Sequence, residues 1–253
     1  MNQDNIYRGL EAEYHEQLWN ELAPDDEVGL FLEHLDKTSS PWLEIGSGTG
    51  RILAPIHKSG QAVEGIEPSA EMCATAKEAL PDIAIHETTL ENFEPASEAS
   101  YGAVLFTAFV GNLLPDLDKA LQKAGELLEP KGSVALTQFI PWAELSGEAP
   151  EGQWYTDQKL RLKSSQILEL RTKHQIQRQS QTLTREHKYI IKNLRGHSLQ
   201  SYQCKQHLRW YYWQELTAKL EAHGFENIQT FWNLASPELD EDASVFTVVA
   251  TKK

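Results

Sequence analysis

Leu43-Glu44-Ile45-Gly46-Ser47-Gly48-Thr49-Gly50 is the stretch that decides the fold: a short apolar run ending in three alternate glycines. Pro41-Trp42-Leu43-Glu44-Ile45 reads as a strand and Ile52-Leu53-Ala54-Pro55-Ile56 opens a helix, so the segment is a strand, a turn and a helix. A ligand that approaches the end of a parallel strand needs backbone without a Cβ in its way, which Gly46, Gly48 and Gly50 supply. The spacing is G-x-G-x-G, whereas the fingerprint that wraps a dinucleotide pyrophosphate is G-x-G-x-x-G. Glu44 would repel a pyrophosphate and suits a cationic ammonium or sulfonium group.

Downstream, Gln61 to Glu67 reads as a second strand, and Ser69 as the N-cap of a helix reaching about Leu80. Ile83-Ala84-Ile85 and Tyr101 to Phe106 are further strands. Leu117 to Leu128 is an amphipathic helix closed by Pro130-Lys131-Gly132, and Ser133 to Thr137 a fifth strand. Strands alternating with helices of this length predict an α/β fold, a mostly parallel sheet with helices on both faces. Upstream, Ile6, Leu10, Tyr14, Leu18 and Leu22 recur at helical spacing as far as Pro24, followed by Val28, Phe31, Leu32 and Leu35.

The rhythm changes after Phe139. Pro141 to Gly152 reads as a loop, and from there to Tyr212 polar and apolar residues alternate at period two, which predicts antiparallel strands with one wet face. The α/β pattern then returns with a helix from Trp213 to His223, Gly224 as its stop, and strands through Ile228 to Trp232 and Val245 to Ala250.

The formal charge of the 253 residues is −14, which disfavours nucleic acid as a partner of the whole surface. Residues 151–212 hold twelve Lys or Arg against four Asp or Glu, a net +8, so the remaining residues carry −22. Such an asymmetry can orient an acidic substrate, a partner or a second copy of the chain; a solvated sheet face explains it equally. Cys73 and Cys204 lie in no metal-binding spacing, and no metal is expected. No apolar run is long enough to span a membrane and the first residues lack a signal-peptide pattern, so cytoplasmic residence is the expectation.

Glu67 ends the second strand about twenty residues after the first glycine, where a carboxylate can accept hydrogen bonds from both hydroxyls of a ribose. With this residue in place, Leu43 to Arg51 resembles the first motif of the class I S-adenosylmethionine-dependent methyltransferases. Gly65-Ile66-Glu67-Pro68-Ser69 with Met72 resembles their second. Leu128 to Ser133, Arg209 to Leu216 and Ala222-His223-Gly224-Phe225 resemble later segments of the small-molecule branch related to sugar-amine and glycine N-methyltransferases.

The resemblance implies a Rossmann-like methyltransferase fold with a seven-stranded sheet plus the antiparallel insertion. Residues 1–40 become a helical lid, 41–140 the cofactor-binding core, 141–212 an insertion that roofs the acceptor or builds a dimer, and 213–253 the completion of the core. It further implies S-adenosylmethionine as cofactor. The methionine moiety would lie against Glu44, Gly46, Ser47, Gly48, Gly50 and Arg51, the ribose on Glu67, and the adenine near Pro68, Met72, Thr89 and Leu90. Phe106 would lie on the passage to the acceptor and Tyr14 over the cofactor. Thr89 stands where many members have an aspartate, and Gly102 replaces an aspartate of the fourth strand.

Methyl transfer to a small molecule by in-line displacement is the function this implies, with Tyr14, His15, His187, Arg209 and Tyr211 as candidates for acceptor or proton chemistry. RNA or protein methylation through the basic insertion, and a cofactor-binding module without catalysis, stay open as alternatives. A homodimer through the insertion is a further expectation.

Overall fold

Trp42–Ile45 (β1) is buried along its whole length, and such a strand must be paired on both edges. Val63–Ile66 (β2) and Tyr101–Phe106 (β4) flank it in parallel, with Ile45 level with both Ile66 and Phe106. The glycine turn therefore leaves β1 where three neighbouring strands end together. The computed structural model describes residues 3–20, 26–37, 40–95, 101–234 and 237–253. Leu22 and Pro24, which mark the end of the first helix in the sequence pattern, lie outside them.

Ala84–His86 (β3), Leu128–Phe139 (β5), Phe225–Trp232 (β10) and Val245–Lys252 (β11) complete a seven-stranded sheet in the order β10-β11-β5-β4-β1-β2-β3. β11 pairs antiparallel with both β10 and β5, and the other pairings in this sheet are parallel. After β3 the chain crosses to the other side of β1, so a crevice opens beyond the carboxyl ends of β1 and β4, the usual ligand position in such sheets. Helices Leu53–Lys58 (α3), Ala70–Ala79 (α4) and the one-turn Val110–Leu113 (α5) follow β1, β2 and β4. Ser69 caps α4 as its sequence suggests, accepting the Met72 amide at 3.2 Å.

Period-two alternation along β1 assigns its side chains to two cores. Leu43 and Ile45 join Leu117, Leu121 and Leu127 of α6 (Leu117–Leu127) and Leu216 and Leu220 of α8 (Trp213–Ala222). Trp42 joins Phe31 of α2 (Asp26–His34) with Leu53 and Ile56 of α3. Glu44 shares the Trp42 face, a carboxylate in an apolar layer.

Tyr155–Arg161 (β6), Ile167–Gln177 (β7), Thr182–Lys192 (β8) and Ser198–Arg209 (β9) form the antiparallel sheet, in that order. Its inner face carries Leu168, Leu170, Tyr189 and Ile191, which pack on Leu10 and Leu18 of α1 (Gly9–Asn20). On the outer face Lys173 pairs with Glu186 at 2.9 Å and Lys192 with Glu169, so part of the insertion's basic charge is compensated locally.

Two local expectations are corrected. Residues 141–152 hold a one-turn helix, Trp142–Ser146 (α7), anchored where the Trp142 ring N–H donates to Ala243 O at 3.0 Å; five residues are too few to show a period. Pro130-Lys131-Gly132 lies inside β5 as a bulge, the pairing with β4 shifting between Tyr101 and Ala103. Lys131 takes φ +66°, and a Cβ on Gly132 would meet Glu129 O at 3.0 Å, so the composition of a turn here marks a bulge.

Candidate functional site

The crevice above β1, β2 and β4 holds three adjoining hollows. The central one is lined by Gly46, Gly48, Glu67, Pro68, Met72 and Tyr7 among others. Towards β4 it continues into a hollow bounded by Glu44, Ser47, Arg51 and Thr107, and towards β3 into one bounded by Thr89, Leu90 and Leu114. Gly46 borders all three.

The turn is rigid because its backbone is bonded. Gly46 N and Ser47 N both donate to Ile66 O, at 2.8 and 3.0 Å, and Gly50 N donates to Ser47 O at 2.9 Å. Gly46 has φ +70°, and a Cβ on it would stand 2.6 Å from Val110 Cγ2. Glu67 Oε2 accepts the Gly48 amide at 2.8 Å and Oε1 the Ser69 amide at 2.7 Å. Burial pushes the Glu67 carboxyl up from its ordinary value, against the pull of these two donors.

Glu44 is 2 % exposed. Its Oε1 accepts from Thr107 Oγ1 at 2.5 Å, and its Oε2 is buried without a partner among the described residues. Burial pushes its pKa to about 8, aided by Glu27 and Glu67 and opposed by Thr107 and Arg51. Glu27, itself raised by burial, accepts the Ala108 amide at 3.2 Å and lies 3.7 Å from Arg51 Nη2. Ala108 and Phe109 follow at φ +46° and +66°, consecutive non-glycine residues in the left-handed region at the rim of the cleft. Ser47 Oγ is likewise buried without a partner.

The segment before α1 closes the cleft from above. Asn5 Nδ2 donates to Leu113 O and His207 O at 2.7 and 2.8 Å, and Asn5 Oδ1 accepts the His207 amide at 2.7 Å. Ser69 Oγ donates to Tyr7 O at 2.6 Å. The Tyr7 ring lies 4.9 Å from the His15 ring, and both line the central hollow. Burial, with the Arg51 charge, lowers the His15 pKa to about 4, so the ring is neutral.

The crevice thus gathers His15, Glu44, Gly46, Ser47, Gly48, Arg51, Glu67, Pro68, Met72, Thr89 and Leu90. Gly50 lies in the turn beneath it, where a Cβ would stand 2.4 Å from Leu80 Cδ1. Other residues singled out in the sequence fall elsewhere. Tyr14 packs against the cluster of Leu10 and Leu168, and Phe106 is fully buried in the main core. His187 sits inside the antiparallel sheet, Nδ1 2.9 Å from Thr172 Oγ1 and Nε2 3.3 Å from Gln206 Oε1, its pKa lowered by burial to about 4. Arg209 stacks over Tyr211 at 4.8 Å and pairs with Glu215 at 3.5 Å, and Tyr211 is buried in the main core. Thr107 and Ala108, in the segment from Phe106 to Asn112 that the family resemblance assigns to the passage between cofactor and acceptor, border the crevice, whereas Asn5, Tyr7 and Glu27 enter the site without a motif of their own.

A model of the methyltransferase domain family matches residues 14–230. The chain belongs to that family. Within the family, an N,N-dimethyltransferase of Streptomyces fradiae named for dTDP-3-amino-3,6-dideoxy-alpha-D-glucopyranose is 30% identical over 141 residues, 55% of this chain and 51% of that protein. The chain thus spans about half the length of the curated relatives it matches. Streptomyces venezuelae DesVI has the same fold, with a TM-score of 0.74 at 17% identity over 98% of this chain and 100% of that one. So does CalS10, an amino pentose methyltransferase of Micromonospora echinaspora solved with S-adenosylmethionine bound, with a TM-score of 0.68 at 20% identity over 98% and 99%. The class I S-adenosylmethionine-dependent methyltransferase fold, a Rossmann-like sheet with an antiparallel insertion, is the architecture of this chain.

Proposed function

We propose that the protein is an S-adenosylmethionine-dependent methyltransferase that methylates the amine nitrogen of a small molecule. The observation that carries this reading is the partnerless Oε2 of Glu44, a buried acceptor at the mouth of the glycine turn. A buried carboxyl oxygen without a partner is costly, and a cationic ammonium supplies both a donor and the charge that favours ionisation of Glu44. Ser47 Oγ offers a second open position beside it. The residues present therefore fit the methionine end of the cofactor, with Glu67 towards the ribose, and Thr89 and Leu90 towards the adenine.

When bound, S-adenosylmethionine supplies a methyl group on a sulfonium, already joined to a good leaving group for in-line displacement. What the protein adds is position and dryness. Glu44 holds one end of the cleft and Glu67 its middle, and Tyr7 and Asn5 keep water out from above. Neutral His15 can accept a hydrogen bond from an amine without repelling its charge. The names of the Streptomyces fradiae relative and of CalS10 support a small amine acceptor, and the locally paired lysines of the outer sheet face speak against a nucleic-acid dock.

Incubation with S-adenosylmethionine carrying a labelled methyl group and a panel of amino sugars tests this. Label is expected in at least one product, with stoichiometric S-adenosylhomocysteine. Label transferred to RNA or to a peptide instead would overturn the acceptor class.

A further inference from the structure

On the buried face of the antiparallel sheet a polar band interrupts the apolar packing. Ile176, Leu183 and Leu208 on one side belong to the main core, and Leu168, Leu170 and Tyr189 on the other pack with α1. Between them His174 of β7 stands level with Arg185 of β8. The Tyr155 ring lies 6.3 Å from the His174 ring. Glu144 of α7 faces the same place, and Arg185 Nε and Nη2 both donate to its Oε1.

The band is joined to the cleft by a run of contacts. The Arg185 guanidinium lies 5.1 Å from the centre of the Phe139 ring, and Phe139 meets Phe109 edge-on at 5.2 Å. Phe109 follows Ala108, which borders the central hollow.

His174 is 1 % exposed, and neither of its ring nitrogens has a partner among the described residues. Buried polar atoms are as a rule hydrogen-bonded, so an imidazole with both nitrogens open is built to meet something the chain does not provide. Burial lowers the pKa of this imidazole and so favours its neutral form, with Glu144 and Glu151 opposing and Arg185 assisting. It therefore offers one donor and one acceptor, the complement of a hydroxyl or an amine.

Charge narrows the ligand further. The charged groups facing His174 are Glu144, Glu151 and Arg185, and Arg185 is committed to Glu144. The cleft beyond is lined by Glu44 and Glu67. A phosphate would be repelled by the carboxylates and would meet a guanidinium whose Nε and Nη2 already donate to Glu144, whereas neutral hydroxyls meet no such repulsion and a cationic amine is attracted.

We propose that His174, with Tyr155 and the Glu144–Arg185 pair, is the recognition subsite for the methyl acceptor, and that the acceptor is a hydroxylated amine carrying no phosphate or nucleotide. The word acceptor rests on the methyltransferase reading; the subsite and its charge preference do not. This separates the chain from its Streptomyces fradiae relative, whose name carries a dTDP-linked amino sugar.

The full chain, labelled with ¹⁵N-histidine and loaded with S-adenosylhomocysteine, is titrated with 3-amino-3-deoxyglucose and separately with dTDP, following the His174 ring signals. A saturable shift with the amino sugar and none with dTDP is expected. His174→Phe should weaken amino-sugar binding by about tenfold or more, the size of one lost buried hydrogen bond, and leave S-adenosylhomocysteine affinity unchanged. His174→Asn should fall between the two. Unmoved His174 signals, equal binding by His174→Phe, or a His174 response to dTDP would overturn the proposal. Amino-sugar binding without methyl transfer would refute the enzyme reading and keep the subsite; transfer with silent His174 signals would do the reverse.

Discussion

Glu67 accepts the Gly48 amide hydrogen at 2.8 Å, which bonds the acid at the end of β2 to the glycine turn at the end of β1. With Ser69 N on its other oxygen, the carboxylate holds the turn in shape and keeps lone pairs on both oxygens for a ribose. Glu67→Ala should therefore weaken S-adenosylhomocysteine binding by about 10–100-fold and also lower stability by about 1–3 kcal/mol, the scale of hydrogen bonds to a charged group. Calorimetry and urea unfolding read the two effects separately. Unchanged affinity would remove the ribose role.

Glu44 links cofactor binding to pH. Its carboxyl is raised to about 8 from an ordinary 4.5, so between those values the folded protein holds a proton that the unfolded chain has lost. Its contribution to apoprotein stability is full below the unfolded value and disappears as pH rises through 8. A cationic ligand needs the ionised form, so affinity should climb by up to about tenfold per pH unit and level off above 8. Glu44→Gln should flatten that profile, weaken binding, and make the apoprotein more stable at pH 8. A profile identical to that of the unsubstituted protein would contradict this.

Gly46→Ala places a methyl 2.6 Å from Val110 Cγ2 at a φ of +70°. Strain and overlap together should cost about 2–4 kcal/mol and reduce cofactor affinity in parallel. Gly29→Ala is the matched control: it lies inside α2 with nothing within 4 Å of the added carbon, and should gain about 0.5–1 kcal/mol. Thermal melts of the pair decide whether position or composition matters.

Asn5→Ala removes three hydrogen bonds that tie the N-terminal segment to β9 and to Leu113. A loss of about 2–3 kcal/mol is expected, since buried backbone groups are left unpaired. Hydrogen exchange should show it locally, as faster exchange of the His207 amide with the β1–β2 amides unchanged.

What was legible in the sequence is what local rules govern. Alternating apolar runs, three glycines and an N-cap serine are short-range signals, and they place β1, the turn, β2, α4 and the acid at Glu67. The antiparallel insertion showed itself by its period of two. What stayed hidden depends on partners far along the chain. Asn5 meets its partner at His207, and Tyr7 reaches the cleft because Ser69 holds its carbonyl; no window around either residue contains that information. Tyr14 resembles the N-terminal tyrosine of the family, yet the helical face it shares with Leu10 and Leu18 turns it to the antiparallel sheet. His174 carries no local signal in an alternating strand; its burial, and ring nitrogens without partners among the described residues, are products of the fold.

The measurement that bears most directly on the central claim is calorimetric titration of the unsubstituted protein with S-adenosylhomocysteine at pH 7 in two buffers of different ionisation heat. Saturable binding with release of about one proton is expected, because Glu44 must ionise to meet the ligand's ammonium group. Release should vanish in Glu44→Gln. No binding of S-adenosylhomocysteine or of S-adenosylmethionine, or binding with no proton released from either protein, would contradict the account.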